Sequence, residues 1–397
     1  MDTLKAELAE FQTLKDLKPI LATQGPCLSA YIPLSSAPLN QALKANALEW
    51  KEVLRSLEPK IEQYGAEGRK LLEGISDFNA IWPNQEPHGR SIGVLRSPDV
   101  FLVTWVEQVT RRRAVLGPRF YIRPLLPDVT RDPAFYLLAL SKKNVRMLRC
   151  TSRTADEIGF PAGVATNYDE YMNTAKPDHV RDNRATPGPS AGSSSGIVFG
   201  FGSVSDTEAR DEYVAQFFRQ IDRGINEILR GKTEPLVLCG VESELPIYRS
   251  INSYPHLAEE SVQGAPNSLK SGEMHARALE AINRCYEHEV DEALSEYNHK
   301  VGGGASNRIK EVVKAAHDGR VLKLVVSDSL ETTGAFNEAT YTVKGRETGT
   351  PEDEDLVNDA VVQTILHAGQ VLVAPNGKMP NGTPVAAIYR FSSAASR

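Results

Sequence analysis

The chain has 397 residues, of which 41% are hydrophobic and 24% are charged, as in an ordinary globular protein. This composition excludes disorder over the whole length, and no apolar run approaches the ~20 residues that span a bilayer. The formal net charge of −6 argues against a surface that is basic throughout. Four distant cysteines without a C-x-x-C pair, and an N-terminus without a signal-peptide pattern, indicate a cytoplasmic protein with reduced thiols. We expect no metal site, no cofactor and no membrane segment.

Charge is distributed unevenly along the sequence. Residues 1–125 carry 16 Lys and Arg against 14 Asp and Glu, a net charge of +2. The net charge is −3 over residues 126–272 and −5 over residues 273–397. Any contact with a polyanion is therefore expected in the N-terminal third.

Apolar periodicity predicts an α+β unit in the first third. Leucine and phenylalanine recur at three- and four-residue steps from Leu4 to Leu21, which predicts one amphipathic helix. The other elements predicted here are a strand at 27–33, a helical stretch at 39–75 interrupted near 64–65, and paired strands at 91–95 and 100–105.

The middle third alternates strands and helices around a long polar stretch. The predicted elements are strands at 134–140 and 145–150, a loop at 166–205, a helix at 206–230 and a strand at 235–240. The heart of the loop, residues 187–196, contains only Pro, Gly, Ser and one Ala, and such a composition cannot form a packed core. We expect a mobile loop there.

The last third predicts a small α/β sandwich. Its elements are helices at 271–300, 306–316 and 357–367, and strands at 321–326, 370–374 and 385–391. Together the three patterns predict three domains, namely an N-terminal α+β domain at 1–127, a middle α/β domain at 128–272 and a C-terminal α/β sandwich at 273–397.

Two basic features are candidate RNA contacts, and no motif for catalysis or metal binding is present. The triplet Arg111-Arg112-Arg113 lies in the least acidic third, and guanidinium groups bind phosphates bidentately. A solvated strand whose arginines pair with nearby acids explains the triplet equally well. The loop can act as a basic arm that becomes ordered on phosphates, or it can be an unselected insertion. Its candidate residues are Lys176, His179, Arg181 and Arg184.

The order of these elements resembles that of a family of translation factors. The segments that carry the resemblance are Gly25–Pro33, Gly89–Leu95, Phe101–Trp105, Pro124–Leu126, Ala134–Cys150, Asp206–Arg230, Pro235–Gly240, Arg320–Asp328 and Val385–Phe391. They are similar, in this order, to the archaeo-eukaryotic release factor and Pelota family, in the bacterial branch that includes the ribosome hibernation factor Balon. The resemblance implies a three-domain α/β and α+β architecture, with a middle domain like RNase H and a C-terminal domain like the kink-turn-binding ribosomal proteins.

Two departures from the family pattern bear on function. The stretch Thr166–Ser205 lacks the Gly-Gly-Gln tripeptide that positions a water in the family's release factors, and the nearest string is Ala368-Gly369-Gln370 in the last third. The stop-codon motif Asn-Ile-Lys-Ser is also absent. We therefore do not expect peptide release. The resemblance instead implies a non-catalytic factor that occupies the A site of idle 70S ribosomes and contacts rRNA, with elongation factor Tu as a candidate partner and no role for DNA.

Three alternatives stay open. The chain could be a rescue or release-type factor of the same family, or a stress-related binding protein with no ribosome contact. It could also be a metal-dependent hydrolase that uses its RNase H-like domain, which would require acidic side chains to converge on divalent cations. The acidic residues considered for that role are Asp156, Glu157, Asp169 and Asp178.

Overall fold

The computed structural model describes residues 6–11, 13–23, 25–82, 90–107, 109, 111–131, 134–152, 154–174, 206–345 and 354–391. The chain divides into two compact units. Unit 1 combines residues 1–133 with residues 286–397, and unit 2 consists of residues 134–285. Both units contain sheets and helices, so the mixed α/β fold class is confirmed. The three domains with boundaries after 127 and 272 stay a prediction.

The first segment of unit 1 is a sheet covered by a long helix. Its elements are β1 (Glu7–Ala9), α1 (Leu14–Leu21), β2 (Cys27–Pro33), α2 (Leu39–Gln63), α3 (Gly65–Leu71), α4 (Phe78–Ile81), β3 (Ser91–Arg96), β4 (Phe101–Val106), β5 (Arg113–Gly117) and α5 (Leu126–Arg131). The strand order is β1-β4-β3-β2-β5. Helix α2 packs on this sheet through Trp50, Val53 and Leu57, whose spacing places them on one side of the helix. It ends before Gly65, which adopts a φ of +60°, a conformation that favours glycine.

The predicted N-terminal helix is shorter than its leucine pattern suggested. Residues 7–9 form β1, which pairs in parallel with β4, and the helix begins only at Leu14. A capping box explains the start, because the backbone N–H of Thr13 donates to the Asp16 carboxylate at 2.8 Å. The helical prediction is therefore wrong for residues 7–9, whose backbone gains its hydrogen bonds from the sheet.

Unit 2 is a five-stranded sheet covered by helices. Its elements are β6 (Phe135–Ala139), β7 (Arg146–Cys150), β8 (Ala155–Ile158), α6 (Tyr168–Thr174), α7 (Asp206–Ile228), β9 (Leu236–Gly240), α8 (Leu245–Ile251), β10 (Leu257–Gln263) and the first half of α9 (Ser271–Lys300). The order is β10-β9-β6-β7-β8, in which β10, β9 and β6 are parallel. Strands β6 and β9 are buried along their whole length, as expected for parallel strands covered on both faces.

The polar stretch predicted as a mobile loop is partly helical. Residues 168–174 form α6, so the prediction is wrong for them, and residues 175–205 lie outside the described residues. The Asn167 side chain accepts a hydrogen bond from the backbone N–H of Asp169 at 2.8 Å. This side-chain contact at the start of α6 provides the local reason for the helix.

The last segment of unit 1 forms the predicted sandwich and a small extra sheet. Its elements are β11 (Ala305–Ser306), α10 (Ile309–His317), β12 (Val321–Ser327), β13 (Thr333–Asn337), β14 (Thr342–Gly345), β15 (Glu354–Asp355), α11 (Leu356–Leu366), β16 (Gln370–Ala374) and β17 (Val385–Tyr389). The main sheet has the order β11-β17-β12-β16, and the extra sheet has the order β14-β13-β15. Helices α10 and α11 cover one face of the main sheet, and the second half of α9 packs on the other.

The first and last segments of unit 1 share one hydrophobic core. Side chains of α1 and of the stretch before α5 pack with those of α10, α11 and the main sheet of the last segment. Within this contact Arg123 pairs with Asp355 at 2.8 Å and donates to the Ser327 carbonyl at 2.7 Å. The two charged side chains are only 7% and 6% exposed. Asn358 adds two hydrogen bonds to the backbone of Phe120 and Ile122.

Replacing Arg123 should destabilise unit 1 strongly. In Arg123→Met the Asp355 carboxylate stays buried without its partner, so we expect the free energy of unfolding to fall by about 3 kcal/mol. The three tryptophans of the chain, Trp50, Trp82 and Trp105, all lie in this unit, so their fluorescence in a denaturant titration reports its unfolding. The matched control is Arg112→Met, whose ion pair is exposed and should be worth less than about 1 kcal/mol. Equal effects of the two substitutions would contradict this assignment.

A half-buried acid, Glu354, lies beside this contact. Burial and, secondly, the nearby Asp359 carboxylate together raise the pKa of Glu354 to about 7, against the opposing charges of Arg119, Lys60 and His317. Asp359 is itself bound by Arg119 and by His317, whose Nε2 lies 2.9 Å from the carboxylate. The neutral form of Glu354 is therefore favoured at pH values below about 7.

The stability of unit 1 should fall as the pH rises through this range. The folded state holds a proton on Glu354 between about pH 4.5, where the unfolded side chain titrates, and about pH 7, so raising the pH across this window favours unfolding. The Glu354→Gln variant should lose this dependence and should be more stable than the wild type at pH 8. Tryptophan-monitored denaturation at several pH values measures both effects, and identical pH profiles would exclude the assignment.

Candidate nucleic-acid interface

The arginine triplet lies at one edge of the first sheet of unit 1. Strand β5 is the edge strand and begins at Arg113, which pairs with Tyr31 of β2. Arg111 is exposed and has no ion-pair partner within the described part of the chain. Arg112 lies 3.0 Å from the Glu49 carboxylate of α2, and both side chains are exposed. The three guanidinium groups are therefore not equivalent.

Arg113 is bound to the last segment of unit 1 by an ion pair. Its guanidinium lies 2.7 Å from the Glu331 carboxylate and 5.0 Å from the centre of the Tyr121 ring. The Tyr121 hydroxyl donates to the same carboxylate at 3.1 Å. These contacts support the ion-paired interpretation for Arg113, because a phosphate would have to displace Glu331. Only Arg111 presents an unpaired guanidinium to solvent among the three.

The other four basic candidates belong to the polar loop between α6 and α7. Lys176, His179, Arg181 and Arg184 lie outside the described residues, so their role stays a prediction.

A pair of lysines next to the start of α6 was not among the sequence candidates. Lys142 and Lys143 form the turn between β6 and β7. The turn is fixed from both sides, because the Lys142 carbonyl accepts from the backbone of Tyr168 and the Lys143 carbonyl accepts from the Asn167 side chain, each at 2.8 Å. Within the described part of unit 2, neither lysine has an ion pair. The only signal in the sequence was two adjacent lysines. Lysines are common in exposed turns, so the turn was a sufficient explanation for them.

The lysine turn borders a cleft of about 300 Å³. The cleft is lined by Lys142, Lys143, Tyr168, Asp169 and Val214. Nearby, Glu244 follows β9 and is 8% exposed, and burial raises its pKa while the charge of Lys142 opposes the rise. Both groups follow the carboxyl ends of parallel strands, the edge of α/β sheets where ligands commonly bind. The arrangement can bind an anion next to the turn, although Asp169 reduces the positive charge there.

The acidic residues considered for hydrolysis do not form a metal site in the described structure. Asp156 and Glu157 are exposed on β8, Asp169 is exposed on α6, and Asp178 lies outside the described residues. No group of three His, Cys, Asp or Glu in the described ranges is arranged to hold a metal ion. The buried Asp222 is occupied by the Tyr248 hydroxyl at 3.2 Å and by Ser253.

Comparison with known proteins identifies the segment that contains the lysine turn. Residues 134–320 match the family described as bacterial archaeo-eukaryotic release factor family 3. Over this segment, a little under half of the chain, the sequence resembles the release-factor family. The match begins at the first residue of unit 2 and extends through α10 of unit 1. The family resemblance predicted from the sequence is thus confirmed.

Several solved structures of release-factor-like proteins are similar to the chain. An archaeal translation termination factor aRF1 is 14% identical, with 95% of this chain and 96% of that chain covered and a TM-score of 0.22. Ribosome-bound archaeal Pelota, in a structure that also contains ABCE1, is 13% identical over 98% and 96%, with a TM-score of 0.37. Dom34 of S. cerevisiae is 13% identical over 72% and 74%, with a TM-score of 0.35.

None of the curated proteins compared with the chain matches it. Across the described residues, no helix combines the length and apolar character needed to cross a membrane.

Substitutions in the arginine triplet should distinguish the unpaired Arg111 from Arg113, which forms an ion pair with Glu331. Arg113→Ala removes the ion pair with Glu331 and the contact with Tyr121, so we expect a lower melting temperature of unit 1. Arg111→Ala should change the free energy of unfolding by no more than about 0.5 kcal/mol, because its side chain is exposed and unpaired. Tryptophan-monitored thermal unfolding compares the two variants, which carry the same change in charge. A larger effect of Arg111→Ala would reverse the assignment.

Proposed function

We propose that the chain is a non-catalytic, ribosome-binding translation factor that occupies the A site of idle 70S ribosomes. One observation carries the proposal: a chain matching the release-factor family over residues 134–320 contains no Gly-Gly-Gln tripeptide anywhere in its sequence. The family's release chemistry depends on that tripeptide at the tip of the middle-domain loop. Without it, the factor retains a means of binding the ribosome and lacks the group that positions the attacking water.

The charge distribution supports contact with rRNA at restricted sites. Phosphate contacts require cations only where protein and RNA meet, so a net charge of −6 is compatible with ribosome binding. Arg111 and Lys143 are exposed, Lys142 is half-buried, and none of the three has an ion pair in the described ranges. Lys176, His179, Arg181 and Arg184 of the loop extend the proposed RNA-binding set.

The proposed activity is occupation of a site. The factor needs no cofactor, acts in the cytoplasm, and serves ribosome hibernation during stress. Elongation factor Tu is the proposed protein partner, as the resemblance to the Balon branch implies. None of these steps requires a catalytic residue of this chain.

Sedimentation tests the proposal directly. Tagged full-length protein in lysates of starved or cold-shocked cells should migrate with 70S ribosomes, and raising the salt concentration should release it, because phosphate contacts weaken with ionic strength. The matched comparison is the lysate of growing cells, in which occupied A sites should exclude the protein.

Other distributions would favour the alternatives. Protein that stays at the top of the gradient even at low salt contradicts ribosome binding and favours a stress-related binding protein. Release of peptide from ribosomes carrying peptidyl-tRNA, on addition of the purified protein, would contradict the non-catalytic assignment and favour a rescue or release-type factor.

A further inference from the structure

The outer side of α2 carries a row of cations around an exposed leucine. Trp50, Val53 and Leu57 face the sheet on the inner side of the helix. The opposite side presents Lys44, Leu48, Lys51 and Arg55, which are all exposed and follow one another at steps of four, three and four residues. These steps place the four side chains on one face of the helix. We call this set the α2 basic face.

The positive charge of the α2 basic face is largely available to a ligand. Lys44 and Lys51 have no ion pair within the described part of unit 1. Arg55 lies 2.8 Å from Glu52, but its side chain is 68% exposed, and such a surface pair is weak. Of the other acids here, Glu49 already pairs with Arg112, and the exposed Glu58, one turn after Arg55, has no ion pair with either lysine in the described structure. The nearby acids therefore do not neutralise the two lysines.

The spacing of these cations fits an extended polyanion. At 1.5 Å per residue, Lys44 and Arg55 are separated by about 17 Å along the helix axis. An anion that contacts all three cations must be equally long, which a single small phosphate compound is not. A nucleic-acid strand presents a phosphate at every nucleotide and meets this requirement.

Leu48 distinguishes an RNA ligand from an apolar protein partner. The residue is 62% exposed and lies between Lys44 and Lys51 on the face. A protein-docking surface normally has a contiguous apolar patch of several hundred Å², whereas here one leucine is surrounded by cations. A lone apolar side chain among cations can contact a ribose or base edge while the cations bind phosphates.

We infer that the α2 basic face binds the phosphate backbone of RNA through Lys44, Lys51 and Arg55. The inference rests on the proposed ribosome-binding function and names a surface of unit 1 that contacts the RNA. It differs from the arginine triplet, because Arg112 and Arg113 are engaged with acids whereas the two lysines of α2 are not. The surface is formed by a single rigid helix whose position is fixed by the core beneath it.

Two triple variants of the full-length protein test the inference. The first carries Lys44→Ala, Lys51→Ala and Arg55→Ala. The control carries Arg230→Ala, Lys232→Ala and Lys270→Ala, which remove the same number of lysines and arginines from exposed positions of unit 2. Binding to a fluorescently labelled RNA duplex of mixed sequence is measured as a function of salt, together with sedimentation with 70S ribosomes.

We expect the α2 variant to lose about tenfold or more in affinity for the duplex and to show a salt slope reduced by about 2 to 3. The control should bind like the wild type. Both variants should unfold like the wild type, because all substituted side chains are exposed. Equal affinities and salt slopes for the two variants would overturn the inference.

The remaining outcomes are also decisive. If Leu48→Ser reduces sedimentation with 70S ribosomes as much as the triple substitution does, while neither variant changes duplex affinity or salt slope, the face is a protein-docking surface and the inference fails. If the wild type sediments with ribosomes and the α2 variant does so equally well, the inference fails while the proposed function stands. If the wild type does not sediment with ribosomes, the proposed function fails, and the duplex titration alone then decides whether the face binds RNA.

Discussion

The buried contact between the two ends of the chain is the constraint on which unit 1 depends. Arg123 and Asp355 are 232 positions apart in sequence, yet they form one buried ion pair inside a core built by both segments. Neither charge can stay buried without the other, because an unpaired ion in an apolar environment is strongly unfavourable. Unit 1 can therefore form only when the last segment is available. Unit 2 has cores of its own and does not depend on so distant a partner.

The same contact determines which basic residues are left for an external ligand. Three arginines of the first segment, Arg113, Arg119 and Arg123, are paired with acids of the last segment. The charge gradient from +2 to −5 along the sequence is thus partly neutralised inside unit 1. What stays available is the positive charge of side chains that the last segment does not reach, such as Arg111 and Lys51. The number of basic residues in a segment is a poor guide to an interface when a distant acidic segment folds against it.

The strongly periodic elements could be predicted from the sequence. Helix α9 spans Ser271–Lys300 as the apolar spacing predicts, and β6, β7 and β9 lie where short apolar or alternating runs occur. The short strands of the extra sheet were missed, because they are two to five residues long and carry no clear alternation. Helix α6 was hidden by the polar composition around it, although Asn167 provided a local capping signal.

The candidate site was harder to predict, because identical neighbours in sequence have different partners in space. Arg111 and Arg113 differ only in which acids fold against them, and Glu331 is 218 positions from Arg113. The Lys142-Lys143 turn was missed because two lysines in a turn require no functional explanation.

A factor that acts by occupying a site must obtain its effect from affinity alone. Each exposed cation contributes a modest, salt-dependent increment when it binds a phosphate. One small basic surface is therefore insufficient for lasting occupancy. Two weak surfaces joined by one chain bind far more tightly than either does alone, because the first contact raises the effective concentration of the second. Under the proposed function, an acidic protein would combine several such surfaces to hold RNA without being basic overall.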